Sequence, residues 1–150
     1  MGSTFKVLRD TQRFYYDHVD GSWVPDYLIS RGLRNVTPRM GIGYAPPGRA
    51  TTTNHLLSLG HSPQDLVGAG VSREGAYGLR DVMSDRLMFS VLEITRSVIG
   101  FVGRANPRDT HARKYMNTPT TERYDKRFAL HGLGDYRDAL LEGATPLVVE

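Results

Sequence analysis

The spacing of apolar residues changes along the chain, and each change predicts a different type of element. Near the N-terminus, apolar residues recur at three- and four-residue steps, which is the spacing of one helix face. The segment Asp20-Gly21-Ser22 breaks this pattern. The first predicted element is therefore a helix whose inward face carries Phe5, Leu8, Gln12, Tyr15, Tyr16 and Val19.

Several short elements follow this helix. Pro25 predicts the first turn of a second helix, and Gly32 predicts its end. The glycine- and proline-rich residues 41–48 predict a short strand that runs into a turn. Two more helices are expected, one over residues 52–59 and one that starts with Ser62 as its N-cap.

The middle of the chain has the alternation of strands. Residues 87–92 and 98–102 form two β-like runs joined by residues 93–97, which predicts an antiparallel hairpin. A last helix is expected over residues 135–141, followed by an apolar β run over residues 146–150. The fold class that follows is α+β, with helices packed on a small antiparallel or mixed sheet that contains a central hairpin.

Composition adds limits to this picture. A chain of 150 residues with 39% hydrophobic residues fits one domain, residues 1–150. No apolar run approaches the ~20 residues of a membrane span, and no leader is evident, so we expect a cytoplasmic protein with no membrane partner. The chain has no cysteine, and its five histidines have no metal-ligand spacing, so no zinc site is expected.

Charge is concentrated in one segment. Between Arg104 and Arg127 there are seven cations and three anions, so this segment carries +4 while the rest of the chain carries −1. Clustering of this kind is typical of a surface that binds phosphate-rich partners, and a solvated loop is the alternative. The glycines at 68, 70, 75 and 78 follow a helix and not a strand, so we do not interpret them as a phosphate loop.

Two extended motifs resemble the DnaG-type bacterial DNA primases. The first is Tyr27-Leu28-Ile29-Ser30-Arg31-Gly32-Leu33 followed by Ile42-Gly43-Tyr44-Ala45-Pro46, similar to the family pattern YLxxRGL…IGYAP. The second is similar to RIMFPI…VIGFGGR…KYLNSPET. It comprises Arg86-Leu87-Met88-Phe89, Val98-Ile99-Gly100-Phe101-Val102-Gly103-Arg104 and Lys114-Tyr115-Met116-Asn117-Thr118-Pro119. Together the matches run in the same order over about residues 25 to 150.

The chain departs from the family pattern at three informative positions. Ser90 replaces a proline, Val102 replaces a glycine, and Arg96 replaces the hairpin glycine. None of these changes removes a cation, and they suggest a diverged member with a differently made hairpin. The Cys/His zinc-binding module that usually precedes this region in the family is also absent from the sequence.

The resemblance implies binding residues. Arg31, Arg104, Lys114 and Lys126 are expected to contact nucleotide or template phosphates. Tyr115 and Asn117 could contact sugar, base or backbone, and Arg86 could do the same. Small residues beside Arg104, namely Gly100 and Gly103, are expected to leave a shallow floor for nucleic acid.

Each expected binding residue has a structural alternative. Arg31 could simply favour the C-terminus of its helix. Tyr115 could be a core aromatic residue, and Arg86, next to Asp85, could have a structural role. For Arg104, Lys114 and Lys126 the charge clustering and the motif position agree, so the binding interpretation is preferred.

The resemblance also implies how the chemistry is divided. In this family a strand of the form LVVxE begins the Toprim domain, so residues 146–150 are expected to be its first strand, with Glu150 as a catalytic acid or base. The divalent metal (Mg or Mn) would be held by later acidic residues outside this chain. The parent protein is expected to be a nucleotidyltransferase that makes RNA primers for DNA replication, and this part alone is expected to be inactive.

The expected partners follow from that chemistry. They are single-stranded DNA, an RNA–DNA hybrid and nucleoside triphosphates, with a replicative helicase possible through regions outside the chain. A different hypothesis is a non-catalytic nucleic-acid-binding or assembly module, a diverged primase relic from a plasmid, phage or other mobile element. A third is that the isolated chain folds but binds nothing measurably without its other domain.

Overall fold

The computed structural model describes residues 2–34 and 41–149, and this part of the chain confirms the α+β prediction. Five helices and six strands form within these residues. The predicted helices and the predicted hairpin are all present. In chain order the elements are α1 (Ser3–Asp17), α2 (Val24–Ser30), β1 (Ile42–Ala45), α3 (Thr51–Ser58), α4 (Pro63–Gly68), β2 (Ser72–Gly75), β3 (Gly78–Asp81), β4 (Arg86–Leu92), β5 (Val98–Ala105), β6 (Tyr115–Asn117) and α5 (Arg137–Leu141).

The main sheet is antiparallel and has the order β1-β4-β5-β6. The predicted hairpin, β4–β5, lies at its centre, with a register shift between Val91 and Leu92. Side chains alternate between two faces, because successive residues of a strand point to opposite sides. We call the face that contains Met88 and Phe101 the core face, and the face that contains Leu87 and Arg104 the outer face.

Helix α1 packs on the core face. The rings of Tyr15 and Phe101 meet edge to face with their centroids 5.3 Å apart. A side-chain carbon on Gly43 would lie 2.7 Å from Tyr15 Cβ, so only glycine lets α1 lie directly on β1. Thr11 is fully buried in this helix, and its hydroxyl donates to Val7 O at 2.7 Å. A search for apolar spacing does not detect a buried polar residue such as Thr11. The buried face of α1 differs from the predicted one and consists of Val7, Leu8, Thr11, Phe14 and Tyr15.

Helix α2 packs on the outer face at the β1 side of the sheet. Val24 and Leu28 are buried against Tyr44 and Leu87. The remainder of the outer face, over β5 and β6, is partly covered by the segment around Tyr124. The outer face therefore has a helix on one side and an irregular segment on the other.

Two elements were not predicted from the sequence. The β2–β3 hairpin consists of two four-residue strands in which Gly75 pairs with Gly78. Its strands are too short and too polar for a clear alternation. Strand β6 has three residues and lies in the basic segment, for which no strand was predicted.

The N-terminus of α3 is capped from a distant strand. Its N-cap residue, Ala50, has no side-chain acceptor. The buried carboxylate of Asp81, at the end of β3, accepts hydrogen bonds from the backbone N–H groups of Thr52 (3.0 Å) and Thr53 (2.8 Å). It also accepts one from the Thr53 hydroxyl at 2.7 Å. Asp81 therefore joins the β2–β3 hairpin to the helical layer.

The end of the chain differs from the prediction. Residues 146–149 are exposed and form no strand within the described residues, and the assignment of 146–150 as the first strand of a further domain stays a prediction. A strand needs a neighbour to pair its N–H and C=O groups, and this segment has none here. The last helix is also shorter than predicted and begins at Arg137.

Arg96 and Ser90, two of the departures from the family pattern, have local explanations. Arg96 has a φ of +66°, a conformation that usually favours glycine. Its guanidinium pairs with Asp138 of α5 at 2.6 Å, which anchors the turn. Ser90 accepts a hydrogen bond from Gln12 Nε2 at 2.9 Å, so it connects β4 to α1.

Within residues 2–34 and 41–149, none of the helices combines the length and the apolar character that a bilayer span requires.

We expect Asp81→Ala to lower the free energy of unfolding by about 3 kcal/mol, because several buried donors lose a charged acceptor. Urea denaturation followed by circular dichroism would measure this loss. Glu122→Ala, a change of an exposed carboxylate, is the control and should stay within about 0.5 kcal/mol of the parent chain. A loss below about 1 kcal/mol in Asp81→Ala would contradict the capping role.

Candidate nucleic-acid interface

Asp85 organises the outer face at the start of β4. Its carboxylate accepts hydrogen bonds from Trp23 Nε1 (2.8 Å), Tyr44 Oη (2.6 Å) and Asn106 Nδ2 (3.1 Å). These donors belong to the start of α2, to β1 and to the segment after β5. Asp85 has a φ of +48°, a conformation that aspartate tolerates better than most residues. One carboxylate thus fixes three separate segments.

The hydrogen bonds around Asp85 decide its ionisation. Partial burial opposes the charged form, but the donors from Tyr44, Trp23 and Asn106 outweigh that effect and hold the pKa of the carboxyl below its usual value. Burial, together with the hydrogen bond to Asp85, raises the pKa of the Tyr44 hydroxyl. The pair is therefore a carboxylate and a neutral phenol over the whole physiological range.

Arg104 lies between two aromatic rings on the outer face. In the strand register it is opposite Leu87 of β4 and Tyr115 of β6. Its guanidinium carbon lies 4.7 Å from the ring centroid of Tyr27, which is on α2, and 5.9 Å from that of Tyr115. Nη1 donates to Ala105 O at 2.6 Å, and Nε is buried without a hydrogen-bond partner in the described part of the chain. Such stacking holds a guanidinium in place while leaving N–H groups for a phosphate.

The position of Tyr27 depends on Asp85. Trp23, which donates to Asp85, meets Tyr27 edge to face with centroids 5.7 Å apart. No role was predicted from the sequence for Tyr27, which lies in the first quoted motif, or for Asp85, which directly precedes the second motif. Nothing in an aromatic or acidic residue type alone distinguishes a side chain that positions an arginine.

Asn117 lies on the same face at the end of β6, and Lys114 directly precedes this strand. The Lys114 ammonium lies 5.8 Å from the Tyr115 ring centroid, and its side chain is exposed. Asn117 is opposite Val102 in the register and accepts a hydrogen bond from the Tyr124 hydroxyl at 3.3 Å. Tyr115 itself is 51% exposed, so it is not a core residue.

Lys126 borders a shallow depression next to Asn117. The depression has a volume of about 440 Å³. Arg127 beside it is held by Asp125 at 2.5 Å, and hydrogen bonds from Arg127 lower the pKa of Asp125 to about 2. Arg127 is thus neutralised locally. No ion pair forms at Lys126 within residues 2–34 and 41–149. The depression is lined by Val91, Val102, Asn117, Tyr124, Lys126, Arg127, Ala129 and His131.

The structure therefore brings five of the predicted binding residues to the outer face or its edge, whereas Arg31 lies at the end of α2 and Arg86 is buried. The five are Arg104, Lys114, Tyr115, Asn117 and Lys126. Arg31 is exposed at the C-cap of α2, one turn after Tyr27, so both lie on the same side of that helix. Glu150, the predicted catalytic residue, lies outside the described residues.

The predicted glycine floor is wrong. A side-chain carbon on Gly100 would lie 3.0 Å from the Tyr124 ring, so this position is covered by protein. Gly103 lies on the core face, where an added side-chain carbon would be 3.0 Å from the Met83 sulfur and 3.1 Å from the Met88 sulfur. Other parts of the protein pack closely against both glycines, so neither position is open to a ligand.

Arg86 has the structural role that was its alternative interpretation. It is buried, and its Nη1 donates to Gly103 O (3.3 Å) and to Arg113 O (2.9 Å). Burial lowers the pKa of its guanidinium. Arg86 thereby ties the basic segment after β5 to the sheet.

The described residues do not fit a metal centre. Within residues 2–34 and 41–149, no group of three or more histidine, aspartate or glutamate side chains is arranged to hold a metal ion. No step that involves a metal is therefore assigned to these residues.

Comparison with known proteins identifies the family of this chain. The family model described as the DNA primase catalytic core, N-terminal domain, matches residues 14–137. The chain belongs to this family. The DNA primase of Mycobacterium leprae is 34% identical over 126 residues, which cover 83% of this chain and 20% of that protein. The chain thus spans about one fifth of the length of the curated primases it matches.

Solved primase structures share the fold. The RNA polymerase domain of Mycobacterium tuberculosis primase DnaG in complex with double-stranded DNA has a TM-score of 0.86 and 27% identity, with coverage of 94% of this chain and 46% of that one. A DnaG primase catalytic domain bound to ssDNA has a TM-score of 0.77 and 30% identity, with coverage of 96% and 45%.

Asp85→Asn should destabilise the primase core domain by roughly 1–3 kcal/mol at pH 7, since a neutral amide replaces a charged acceptor. The folded pKa of Asp85 is depressed, so its contribution is complete above the unfolded value of 3.8 and is lost as the pH falls through the folded value. Urea unfolding of both chains at pH 7 and near pH 3 would measure the difference between them. A difference that stays constant down to pH 3 would contradict the assignment.

Proposed function

We propose that this chain is the nucleic-acid-binding part of a DNA primase that synthesises short RNA primers on single-stranded DNA. It would hold the template and the RNA–DNA hybrid, and it would orient nucleotide phosphates. The observation that carries the proposal is Arg104, stacked between Tyr27 and Tyr115 beside Lys114. Relatives of the same fold in complex with double-stranded DNA and with ssDNA support it.

The proposed interface suits a sequence-independent ligand. Phosphate neutralisation supplies affinity and releases counterions whatever the base sequence. Arg104 offers a planar fork for phosphate oxygens, whereas Lys114 and Lys126 act as mobile point charges. The exposed ring of Tyr115 offers a surface on which a base or sugar can pack. A primase needs this combination because it begins primers on templates of different sequence.

We propose that the chemistry belongs to an adjoining Toprim domain, with residues 146–150 as its first strand and Glu150 as a catalytic acid or base. A divalent metal, Mg or Mn, would supply charge neutralisation there for nucleotidyl transfer. An apolar surface around Leu133, Leu140 and Leu147, with a cavity of about 720 Å³, supports contact with further protein. Without that domain the chain should not polymerise nucleotides.

The proposed setting follows from this activity. Replication would take place in the cytoplasm, and a replicative helicase would contact other regions of the parent protein. The relic hypothesis differs in one checkable respect: a primase gene should continue beyond Glu150 with a glycine-rich turn and an Asp-x-Asp strand, and a relic gene should not.

The triple change Arg104→Ala, Lys114→Ala and Lys126→Ala should weaken binding of fluorescein-labelled single-stranded DNA. Three lost phosphate contacts should reduce the slope of log K against log salt by about 2. Fluorescence anisotropy between about 50 and 200 mM salt measures both quantities. Lys6→Ala, Arg9→Ala and Arg13→Ala remove the same charge from the exposed side of α1 and serve as the control. Equal losses in the two triple variants would show that only net charge matters.

Tyr27→Leu should weaken DNA binding about three- to tenfold, because Arg104 loses the ring that holds its guanidinium. Tyr27→Phe keeps the ring and should bind like the parent chain. In the background of Arg104→Ala, Tyr27→Leu should have almost no further effect, which identifies Tyr27 as a positioning residue. Additive losses in anisotropy titrations would instead assign Tyr27 a separate contact.

A further inference from the structure

The β2–β3 hairpin places two positively charged arginines side by side. Arg73 and Arg80 are directly opposite each other in the strand register, and both are exposed. Leu79, which precedes Arg80, packs against the main core, so the alternation places Arg80 and its partner Arg73 on the solvent side. Like charges directly opposite in an antiparallel pair destabilise the pair. The hairpin therefore carries an unfavourable contact that an anionic ligand would relieve.

Arg49 brings a third cation to the same side of the hairpin. A side-chain carbon on Gly75 would lie 3.4 Å from both Arg49 Nη2 and Arg80 Cδ, so these two side chains converge above Gly75. The backbone also joins them, because Arg49 O accepts a hydrogen bond from Asp81 N at 2.8 Å. Because Gly75 has no side chain, the space between the arginines remains open.

Tyr77 completes the cluster at the tip of the hairpin. Its side chain is 87% exposed, and its ring centroid lies 5.3 Å from the Arg49 guanidinium carbon. None of the ion pairs formed within residues 2–34 and 41–149 involves Arg49, Arg73 or Arg80. Glu74, the hairpin's own exposed carboxylate, points to the opposite side. The cluster thus combines three cations with an aromatic ring that buries almost nothing.

The hairpin lies at the same end of the main sheet as the basic segment. Gly48, next to Arg49, is joined to Ser84 just before β4 by hydrogen bonds of 3.1 and 2.9 Å. Arg86, the first residue of β4, is opposite Ala105 and bonds the carbonyl of Arg113. The β2–β3 hairpin and the segment that leads to Lys114 are therefore both anchored at the end of the sheet where β4 begins.

We propose that the β2–β3 hairpin is a second contact for single-stranded nucleic acid, separate from the outer face. Arg49, Arg73 and Arg80 hold successive phosphates, and Tyr77 stacks on a base. This inference rests on the proposed function. It extends that function because the bound nucleic acid would leave the outer face and cross the end of the sheet. An acidic peptide would satisfy the arginines but would give an exposed tyrosine no stacking partner, so nucleic acid fits the cluster better.

The first test compares two variants of equal charge in the full 150-residue chain. Arg73→Gln with Arg80→Gln should weaken binding of labelled oligo(dT), about 20 nucleotides long, three- to tenfold and reduce the salt slope by about 1.4. Arg9→Gln with Arg13→Gln, on α1, removes the same charge and should change neither quantity by as much. Equal effects of the two double variants overturn the proposal.

The second test maps where the strand lies. Photocrosslinking of oligo(dT) that contains 5-iodouracil, followed by mass spectrometry, should attach DNA to Tyr77 as well as to Tyr115. Tyr77→Ala should weaken binding about fivefold or more, since one stacked base is lost. A poly-glutamate competitor that displaces DNA from the hairpin, together with an unchanged affinity in Tyr77→Ala, would identify an acidic-peptide site and overturn the proposal.

The two tests distinguish the hairpin from the outer face. If the outer-face triple variant loses binding while the hairpin variants and the Tyr77 crosslink show no effect, the hairpin proposal fails and the proposed function remains. If the hairpin variants alone lose binding, the outer-face assignment fails. If the unchanged chain binds no DNA even near 50 mM salt, where phosphate contacts are strongest, both fail.

Discussion

The carboxylate of Asp85 is the interaction on which the outer face depends. It accepts one hydrogen bond each from the start of α2, from β1 and from the segment after β5, and so holds these three segments together. These bonds keep the carboxyl ionised despite partial burial. Trp23 then supports Tyr27, and Tyr27 supports the guanidinium of Arg104. A single charge inside the domain thus sets the geometry of a cation at its surface.

Arginines serve opposite purposes in this domain, and the partners of their guanidinium groups separate them. Arg86 is buried and donates hydrogen bonds to backbone carbonyls, while Arg96 and Arg127 are paired with carboxylates. Such residues hold segments together and have little charge left for a ligand. Arg104 has its guanidinium oriented by aromatic rings, and the hairpin arginines converge without a paired carboxylate in the described chain. Counting cations along the sequence cannot separate these groups.

The departures from the primase family pattern are accommodated by local structure. Arg96 takes a glycine-like conformation and is anchored to α5 by Asp138. Ser90 bonds α1, and Val102 packs near Tyr124 on the outer face. None of them disturbs the stack around Arg104. They are compensated substitutions within an intact fold, and so they do not by themselves indicate a domain that has lost its role.

The sequence by itself determined the element types and the family. Helical spacing, the Ser62 cap and the alternation of β4 and β5 are local signals, because each depends on residues a few positions apart. The polar β2–β3 hairpin and the short β6 lack such signals, and the apolar run at 146–149 had one but found no partner strand. Tertiary structure alone decided which residues meet. It placed Tyr27 against Arg104, covered Gly100 with Tyr124 and brought Arg49 to Arg80, because contacts between distant segments depend on packing that no local pattern encodes.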